Sequence, residues 1–360
     1  MQQCCRAWDS FLWQCVECDT FEWDSLTIIL KDERVAVESN GTMAKQLLSA
    51  SAGLMLCAAS AVSAAEWETR INGFYFLGLG VSDSNSQSGI GILRDGEAHV
   101  NARLISDGGL IYSARIELEA FTSGDQIDEN WGSVSGPFGT FLVGSNDDAV
   151  YNNHVGAIFA PGTRIGYYDA FGLTTQGRAV TALPGNGSDQ IGVHYTSPSL
   201  SGFKVYGSYH PSSNTDGGAD SNNPVFSSGE FYTVGASYNG NFDDFGIGLS
   251  AGYTDLPGTE LITIGAKATV AGLSIAGTYE NIDQAGGDRD EYAIGAQYSS
   301  GPWTVGGGYS DEQDNGEQAA GWVTYGLAPG VLFTAGVEYG DSNGVPGSDL
   351  GGLAYLTMRF

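Results

Sequence analysis

Apolar residues alternate with polar or small residues through most of this chain, from about residue 68 to the last residue. In the segment 261–270, one face consists of Ile262, Ile264, Ala266, Ala268 and Val270. Successive side chains of a β-strand point to opposite faces, so the alternation predicts strands with one apolar face. Gly, Asn, Asp and Pro interrupt the pattern about every ten residues. The 54 glycines also suit a β-protein with many turns.

The alternating segments are numerous enough to close into a barrel. Sixteen strands are predicted, over residues 68–82, 97–106, 109–121, 129–136, 138–145, 188–197, 202–211, 229–239, 243–254, 258–270, 272–283, 288–300, 302–311, 318–327, 330–340 and 350–360. After residue 65 there is no run of about 20 apolar residues, the length that a membrane-spanning helix needs. Strands cross a bilayer only as a barrel, because lipid offers no hydrogen bonds to an open edge. The predicted fold class is an all-β, transmembrane, antiparallel up-and-down β-barrel.

Aromatic residues mark the expected boundaries of the lipid-facing band. Tyr232 and Tyr238, like Tyr292 and Tyr298, lie six residues apart on one face, a separation of about 20 Å along a strand. That spacing is typical of two aromatic girdles around an apolar band of about 25 Å. The last strand ends in Phe360, and we expect it to pair with the first strand, because an unpaired edge promotes aggregation.

The first 65 residues differ from the rest of the chain. Residues 43–65 have the pattern of a secretory signal peptide, with a positive charge at Lys45, a short apolar segment and a small-residue cleavage site. The sequence therefore predicts that residues 66–360 form the exported barrel. Residues 1–42 hold four of the five cysteines and are predicted to be a disordered extension from a start codon placed too early.

The exported part is strongly acidic, with ten Lys and Arg residues against 34 Asp and Glu residues in 66–360. This charge argues against nucleic acid and anionic lipid as partners. The four histidines have no metal-ligand spacing, and no metal, cofactor or catalytic residue is predicted. A Gly-x-Ser-x-Gly sequence at 248–252 lies within an alternating strand, whereas a hydrolase nucleophile needs a strand-to-helix turn. We therefore predict that the protein is not an enzyme.

One long segment breaks the alternation between the predicted strand at 138–145 and about residue 189. A loop of this length in a compact domain is either functional or evidence against the strand assignment. Because strand patterns surround it, we interpret it as one long loop folded into the lumen of the barrel. It begins with adjacent carboxylates, Asp147 and Asp148.

The sequence GPFGTFLVGSNDDAVYN, which leads into this loop, resembles the constriction-loop region of trimeric Gram-negative outer-membrane porins. The residues that match the family pattern are Gly136, Phe138, Gly139 and Gly144. The terminal Phe360 is similar to the assembly signal of outer-membrane barrels. The resemblance implies a homotrimer in the outer membrane, a channel for ions and small hydrophilic solutes, and a constriction loop at about 145–163. Small outward residues such as Gly73 and Ala102 would permit close contact between subunits.

Charged residues of the constriction are predicted from the alternation together with this resemblance. Arg70, Arg103 and Arg115 fall on lumen positions of the first three strands, since a lipid-facing Arg at the bilayer centre costs about 2–4 kcal/mol. Asp147 and Asp148 would supply the acidic side, and acidic rings favour cations. The arginines offset part of that charge, so we expect weak cation selectivity. In the alternative interpretation, both aspartates cap a turn and face bulk water.

Two other functions stay open at this point. A substrate-specific channel for sugars would need aromatic residues along the lumen, and one for phosphate would need a basic lumen. A barrel without a channel could instead act as an adhesin or a structural protein. Short connections such as 300–302 and 271–272 are predicted on the periplasmic side, and longer ones such as 122–128 and 212–228 on the outside.

Overall fold

In a computed structural model of the chain, the described residues are 26–30, 33–37, 66–83, 88–121, 126–158, 189–213, 229–313, 316–342 and 347–360. The chain divides into two compact units, Met1–Val62 and Ser63–Phe360. In the first unit, strands β1 (Leu26–Leu30) and β2 (Glu33–Val37) pair antiparallel. That residues 1–42 are a disordered extension stays a prediction. The predicted signal peptide, residues 43–65, lies outside the described residues.

The second unit contains a closed barrel of sixteen strands. The strands are β3 (Glu68–Asp83), β4 (Ser88–Ile105), β5 (Ile111–Glu119), β6 (Ile127–Gly136), β7 (Gly139–Ser145), β8 (Ile191–Thr196), β9 (Phe203–His210), β10 (Phe231–Phe242), β11 (Phe245–Leu256), β12 (Thr259–Val270), β13 (Leu273–Gln284), β14 (Arg289–Ser300), β15 (Trp303–Glu312), β16 (Gly316–Ala328), β17 (Val331–Ser342) and β18 (Asp349–Arg359). Each strand pairs antiparallel with its neighbours in the chain, and β18 pairs with β3. The predicted fold class and strand number are confirmed.

The largest difference in strand bounds concerns β4, which begins at Ser88 rather than at the predicted residue 97. The glycines and the aspartate of residues 88–96 suggest a turn in the sequence. In the structure they pair with β3 from Asp83↔Ser88 onward, so the neighbouring strand holds them extended. Strand β8 is shorter than predicted and begins at Ile191.

The alternation separates a lipid-facing surface from the lumen as predicted. On β10, the side chains of Tyr232 and Val234 are 46% and 53% exposed on the outside, whereas the alternate residues Phe231 and Thr233 face the lumen and are buried. Directly opposite residues of antiparallel strands share a face, so the register extends this assignment to every barrel strand. For example, Tyr232 lies opposite Asp255 of β11.

The barrel closes at the C-terminus. Gly73 and Phe360 exchange both backbone hydrogen bonds, at N···O distances of 3.0 and 3.1 Å. The ring of Phe360 lies on the outside and stacks near Tyr75. The last strand thus leaves no open edge, as expected from the sequence.

Short turns connect the strands at the barrel end where β3 begins. The turn between β12 and β13 places Ala271 at φ 47° and Gly272 at φ 84°. Two successive positive φ values match the twist of a two-residue hairpin, and glycine adopts them without strain. The opposite end carries the longer connections. Among the described residues, no helix has the length and apolar character needed to cross a membrane.

Candidate functional site

The segment after β7 leaves the wall and runs along the inside of the barrel. A single helical turn, α1 (Ala149–Asn153), contacts β9, β10 and β11 from the lumen side. The backbone N–H of Val155 then donates to Ser250 Oγ of β11 at 2.8 Å. Ile158 packs in a buried apolar cluster with Trp322 of β16. Residues 146–158 therefore lie in the lumen, and the rest of the predicted constriction loop, to residue 163, lies outside the described residues.

Asp148 caps the helix α1. Its side chain is completely buried, and Oδ1 accepts hydrogen bonds from the N–H groups of Val150 and Tyr151 at 2.6 and 2.9 Å. An aspartate at this position satisfies N–H groups that a helix start otherwise leaves free. Asp148 thus caps a turn, as in the alternative interpretation, but it is buried in the lumen and does not face bulk water.

Asp147 has a different environment, beside carboxylates of the wall. One carboxylate oxygen from each of Asp147, Glu129 and Asp189 lies within 4.8 Å of the others. Asn146 donates from Nδ2 to Glu129 Oε2 at 3.3 Å, which holds this part of the loop against β6. Burial, followed by the charges of Glu129 and Asp148, raises the pKa of Asp147 to about 8 from its ordinary 3.8.

A second charged group lies on the lumen face of β4 and β5. His99 Nε2 is 2.7 Å from Glu97 Oε2 and 3.2 Å from Glu117 Oε2. On the other side of the ring, Arg115 Nη2 is 2.8 Å from His99 Nδ1. Arg115 also forms an ion pair with Glu117 through its Nε atom. Further carboxylates adjoin this group, because Glu97 lies within 4.8 Å of Glu119 and Asp128.

These contacts fix the proton positions on His99. Arginine is a donor only, so Nδ1 must accept and the proton of the neutral ring sits on Nε2, between the two carboxylates. Glu97, His99 and Glu117 also have the spacing of metal ligands. A metal on Nε2 would displace this proton to Nδ1, where the Arg115 guanidinium opposes it. The arrangement is therefore that of a hydrogen-bonded charge cluster.

The predicted arginines occupy different depths of the barrel. Arg70, Arg103 and Arg115 all lie on lumen positions by register. Arg70 is near the start of β3, with a side chain 76% exposed, and pairs with Glu68 at the mouth. Arg103 is exposed near the end of β4, at the same mouth. Among these three, Arg115 is the one that the structure brings into a charged cluster of the wall.

A third charged group lies on β13, β14 and β15. Glu280, Glu291 and Glu312 are in direct register across these strands. Arg289 Nη2 lies 2.8 Å from Glu291, and its Nη1 lies 3.2 Å from Glu312. Carboxylates thus outnumber cations here as they do on β4–β6, within the described part of the barrel. Arg164 and Arg178 lie outside the described residues.

Sequence reasoning missed several members of these groups. Glu129 shares the lumen face with Trp131 and Ser133, so the alternation of β6 could have identified it. Asp189 precedes β8 and carries no comparable signal, because its proximity to Asp147 depends on where the loop returns to the wall. Glu97 and Asp128 lie at positions that the sequence assigned to a strand end or to a turn.

The lumen also holds aromatic residues, which the sequence predicted mainly for the outside. The buried ones are Phe76, Tyr206, Phe231, Trp322 and Tyr355. Phe76 and Tyr355 are in contact, with ring centroids 4.4 Å apart. Each of the five is at most 3% exposed. They pack inside the structure and do not form an accessible aromatic surface.

The shape of the barrel is shared with several solved structures of low sequence identity. An anion-selective porin from Comamonas acidovorans is 13% identical and superposes with a TM-score of 0.58, covering 82% of this chain and 100% of that one. The trimer form of Vibrio cholerae OmpT is 16% identical, with a TM-score of 0.57, over 82% and 99% of the two chains. A porin refined at 1.8 Å resolution is 18% identical, with a TM-score of 0.60, over 81% and 100%.

None of the curated protein sequences matches this chain. A family model described as Gram-negative porin matches residues 50–345, which includes most of the barrel. The closed sixteen-stranded barrel and the lumenal loop agree with that match. The chain therefore belongs to the family of Gram-negative porins, which form channels in the outer membrane.

Proposed function

We propose that this porin passes ions and small hydrophilic solutes by passive diffusion, with a weak preference for cations. The preference for cations over anions rests on one observation, the excess of carboxylates around Arg115 and along the start of the loop. The acidic wall consists of Glu97, Glu117, Glu119, Asp128, Glu129 and Asp189, with Asp147 adding its charge as the pH rises through its raised pKa of about 8. Rings of acidic residues in a pore raise the local cation concentration.

The fold alone leaves the sign of selectivity undecided, because the similar Comamonas porin is anion-selective. Selectivity must therefore come from the side chains of the lumen. Arg115 and Arg289 each pair with glutamates, and this pairing reduces the positive potential that they present to the pore. We expect the preference to be weak because these arginines still offset part of the acidic charge.

The structure gives little support to a sugar-specific channel. Sugars bind to exposed aromatic faces, whereas five of the lumenal aromatics, from Phe76 to Tyr355, are almost fully buried. The lumenal rings of Phe74 and Trp131 are half-buried and lie on separate strands, β3 and β6.

A phosphate channel would need unpaired cations. Carboxylates accompany the lumenal Arg115 and Arg289, whereas Lys204 and Lys267 lie on lumen positions of β9 and β12, so conductance in phosphate salts is the deciding measurement. The alternative of a barrel without an open channel is tested directly by measuring ion conductance.

The experiment is the reversal potential of single channels in a planar bilayer under a tenfold KCl gradient. Glu119→Gln removes one charge of the acidic wall and should move the reversal potential toward the anion side. Glu260→Gln is the matched control, since this carboxylate lies on the outside and accepts from Tyr253 Oη at 3.0 Å. The effect of Glu119→Gln should shrink at high salt, as the Debye length falls from about 10 Å at 0.1 M to about 3 Å at 1 M.

Three outcomes would contradict parts of this proposal. A wild-type reversal potential on the anion side would refute the cation preference. Competition of conductance by one sugar or by phosphate would favour a specific channel. A folded barrel that conducts no ions would favour an adhesin or structural protein.

We also propose that the porin assembles as a homotrimer through the outer face of β4, β5 and β6. Outward tyrosines form a girdle near the loop end over β9–β17; they are Tyr209, Tyr232, Tyr253, Tyr279, Tyr292, Tyr309 and Tyr339. The outer faces of β4–β6 lack this girdle and instead present small residues such as Ala98, Ala114 and Gly132. Lipid contact favours interfacial aromatics, so their absence marks the face that a second subunit would cover.

A further inference from the structure

The lumenal loop rests on a path of wall residues that lack bulky side chains. From β11 to β14, the residues beneath residues 150–158 are Gly252, Ser250, Gly265, Thr278 and Gly295. Ser250, Gly265 and Thr278 are in direct register across three strands. We call this set of five residues the loop track.

Three positions of the track are glycine because the loop touches the wall there. A Cβ atom on Gly265 would overlap the carbonyl oxygen of Val155, and one on Gly295 would overlap the carbonyl of Ile158. A Cβ on Gly252 would come within 2.5 Å of Val150 Cγ1. All three approaches are closer than real Cβ atoms show. At Gly265 and Gly295 the overlapped atoms belong to the loop backbone, so an added methyl group would displace the loop, whereas at Gly252 it would displace the side chain of Val150.

Hydroxyl groups fix the loop at the same places. Ser250 Oγ accepts from the N–H of Val155 at 2.8 Å, and Ser208 Oγ of β9 accepts from the N–H of Ala149 at 3.2 Å. Ser208 is itself held by Thr233, with the two hydroxyl oxygens 2.9 Å apart. The wall therefore binds the backbone of the loop directly, in addition to the contacts that the side chains of Val150 and Ile158 make with it.

Other lumenal glycines of the same barrel have a different role. Gly235 and Gly306 lie under the rings of Tyr206 and Trp322. Gly91 of β4 faces the lumen with no atom within 4 Å of its Cβ position. Overlap with the loop at the Cβ position is therefore found at the track glycines and not at Gly235, Gly306 or Gly91. At Gly308 of β15 the carbonyl oxygen of Ile158 is 3.6 Å from the Cβ position, an ordinary contact.

We propose that the loop track determines how far the loop projects into the lumen and so sets the minimum width of the channel. This inference rests on the proposed channel function. Side chains in place of the track glycines would lift the loop toward the opposite wall by on the order of 1 Å, the distance that restores ordinary van der Waals contacts. A channel narrowed in this way would conduct less and exclude smaller solutes.

The test compares Gly265→Ala and Gly295→Ala with the control Gly91→Ala, which adds the same methyl group to open lumen. Single-channel conductance and the size cut-off for uncharged polyethylene glycols are measured in planar bilayers. The two track variants should lose conductance and exclude smaller polymers, whereas Gly91→Ala should match the wild type. Ser250→Ala, which adds no volume, should instead produce transient closures, because the loop loses a hydrogen bond.

Folded track variants with wild-type conductance and size cut-off would overturn the inference. A wild-type protein that conducts nothing would refute the channel function itself, so the two failures are distinguishable. If Gly265→Ala does not fold, the same substitution is made after deletion of residues 149–158. Recovery of folding in that background would support the contact with the loop, and continued failure would show that the barrel itself needs this glycine.

Discussion

The protonation of Asp147 should make the selectivity of this porin depend on pH. Burial and the carboxylates of Glu129 and Asp148 raise the pKa of Asp147 to about 8. At that pKa, about 1% of the side chains are charged at pH 6, about 10% at pH 7 and about 90% at pH 9. Because the raised pKa favours the protonated form, the negative charge appears only as the pH rises through about 8. We expect cation preference to increase over the same range.

Asp147→Asn isolates this contribution. The variant should have the wild-type reversal potential at pH 6, where Asp147 is already neutral, and a weaker cation preference at pH 9. The measurement is the reversal potential at 0.1 M and 1 M mean salt from pH 6 to 9, with the larger difference at low salt. Glu129→Gln should lower the midpoint of the wild-type transition, since Glu129 is the neighbouring charge with the largest effect on this pKa.

Two results would refute the reasoning. An equal shift of reversal potential by Asp147→Asn at pH 6 and pH 9 would show that Asp147 is charged throughout. No shift at pH 9 would show that the side chain does not act on the ion path, and the assignment of the acidic wall would fail with it.

Three further predictions concern the loop, the precursor and the assembly. Asp148→Ala should destabilise the α1 turn by about 1 kcal/mol and increase conductance noise, whereas Asp148→Asn retains a capping oxygen and should behave like the wild type; equal noise in both would argue against the cap. The mature protein should begin at Ala65 or Glu66, as N-terminal sequencing will show, and a chain that retains Trp8 would contradict the signal peptide. Gly132→Trp on the outer face of β6 should give monomers by native mass in mild detergent, while Gly321→Trp on the girdled face of β16 should leave trimers intact; trimers in both would exclude β6 from the contact.

The sequence determined the features that depend on short-range pattern. The period of two along each strand decides which residues face lipid, so the exposure of Tyr232 and Val234 followed from alternation alone. Turn residues divided the chain into sixteen strands, and the lipid environment left a closed barrel as the one way to pair their edges. The terminal strand was predicted to close on the first strand for the same reason.

The path of the loop and the composition of the charged site were decided by the tertiary structure. Asp147 and Asp148 are adjacent in sequence, yet one lies beside wall carboxylates and the other is a buried cap. Their difference arises because Asp148 is the cap residue of α1 whereas Asp147 precedes it, and because the start of the helix is held by partners more than fifty residues away, such as Ser208. Which strand lies beneath the loop depends on the register of the whole barrel, and no local pattern around Gly265 or Asp189 encodes that register.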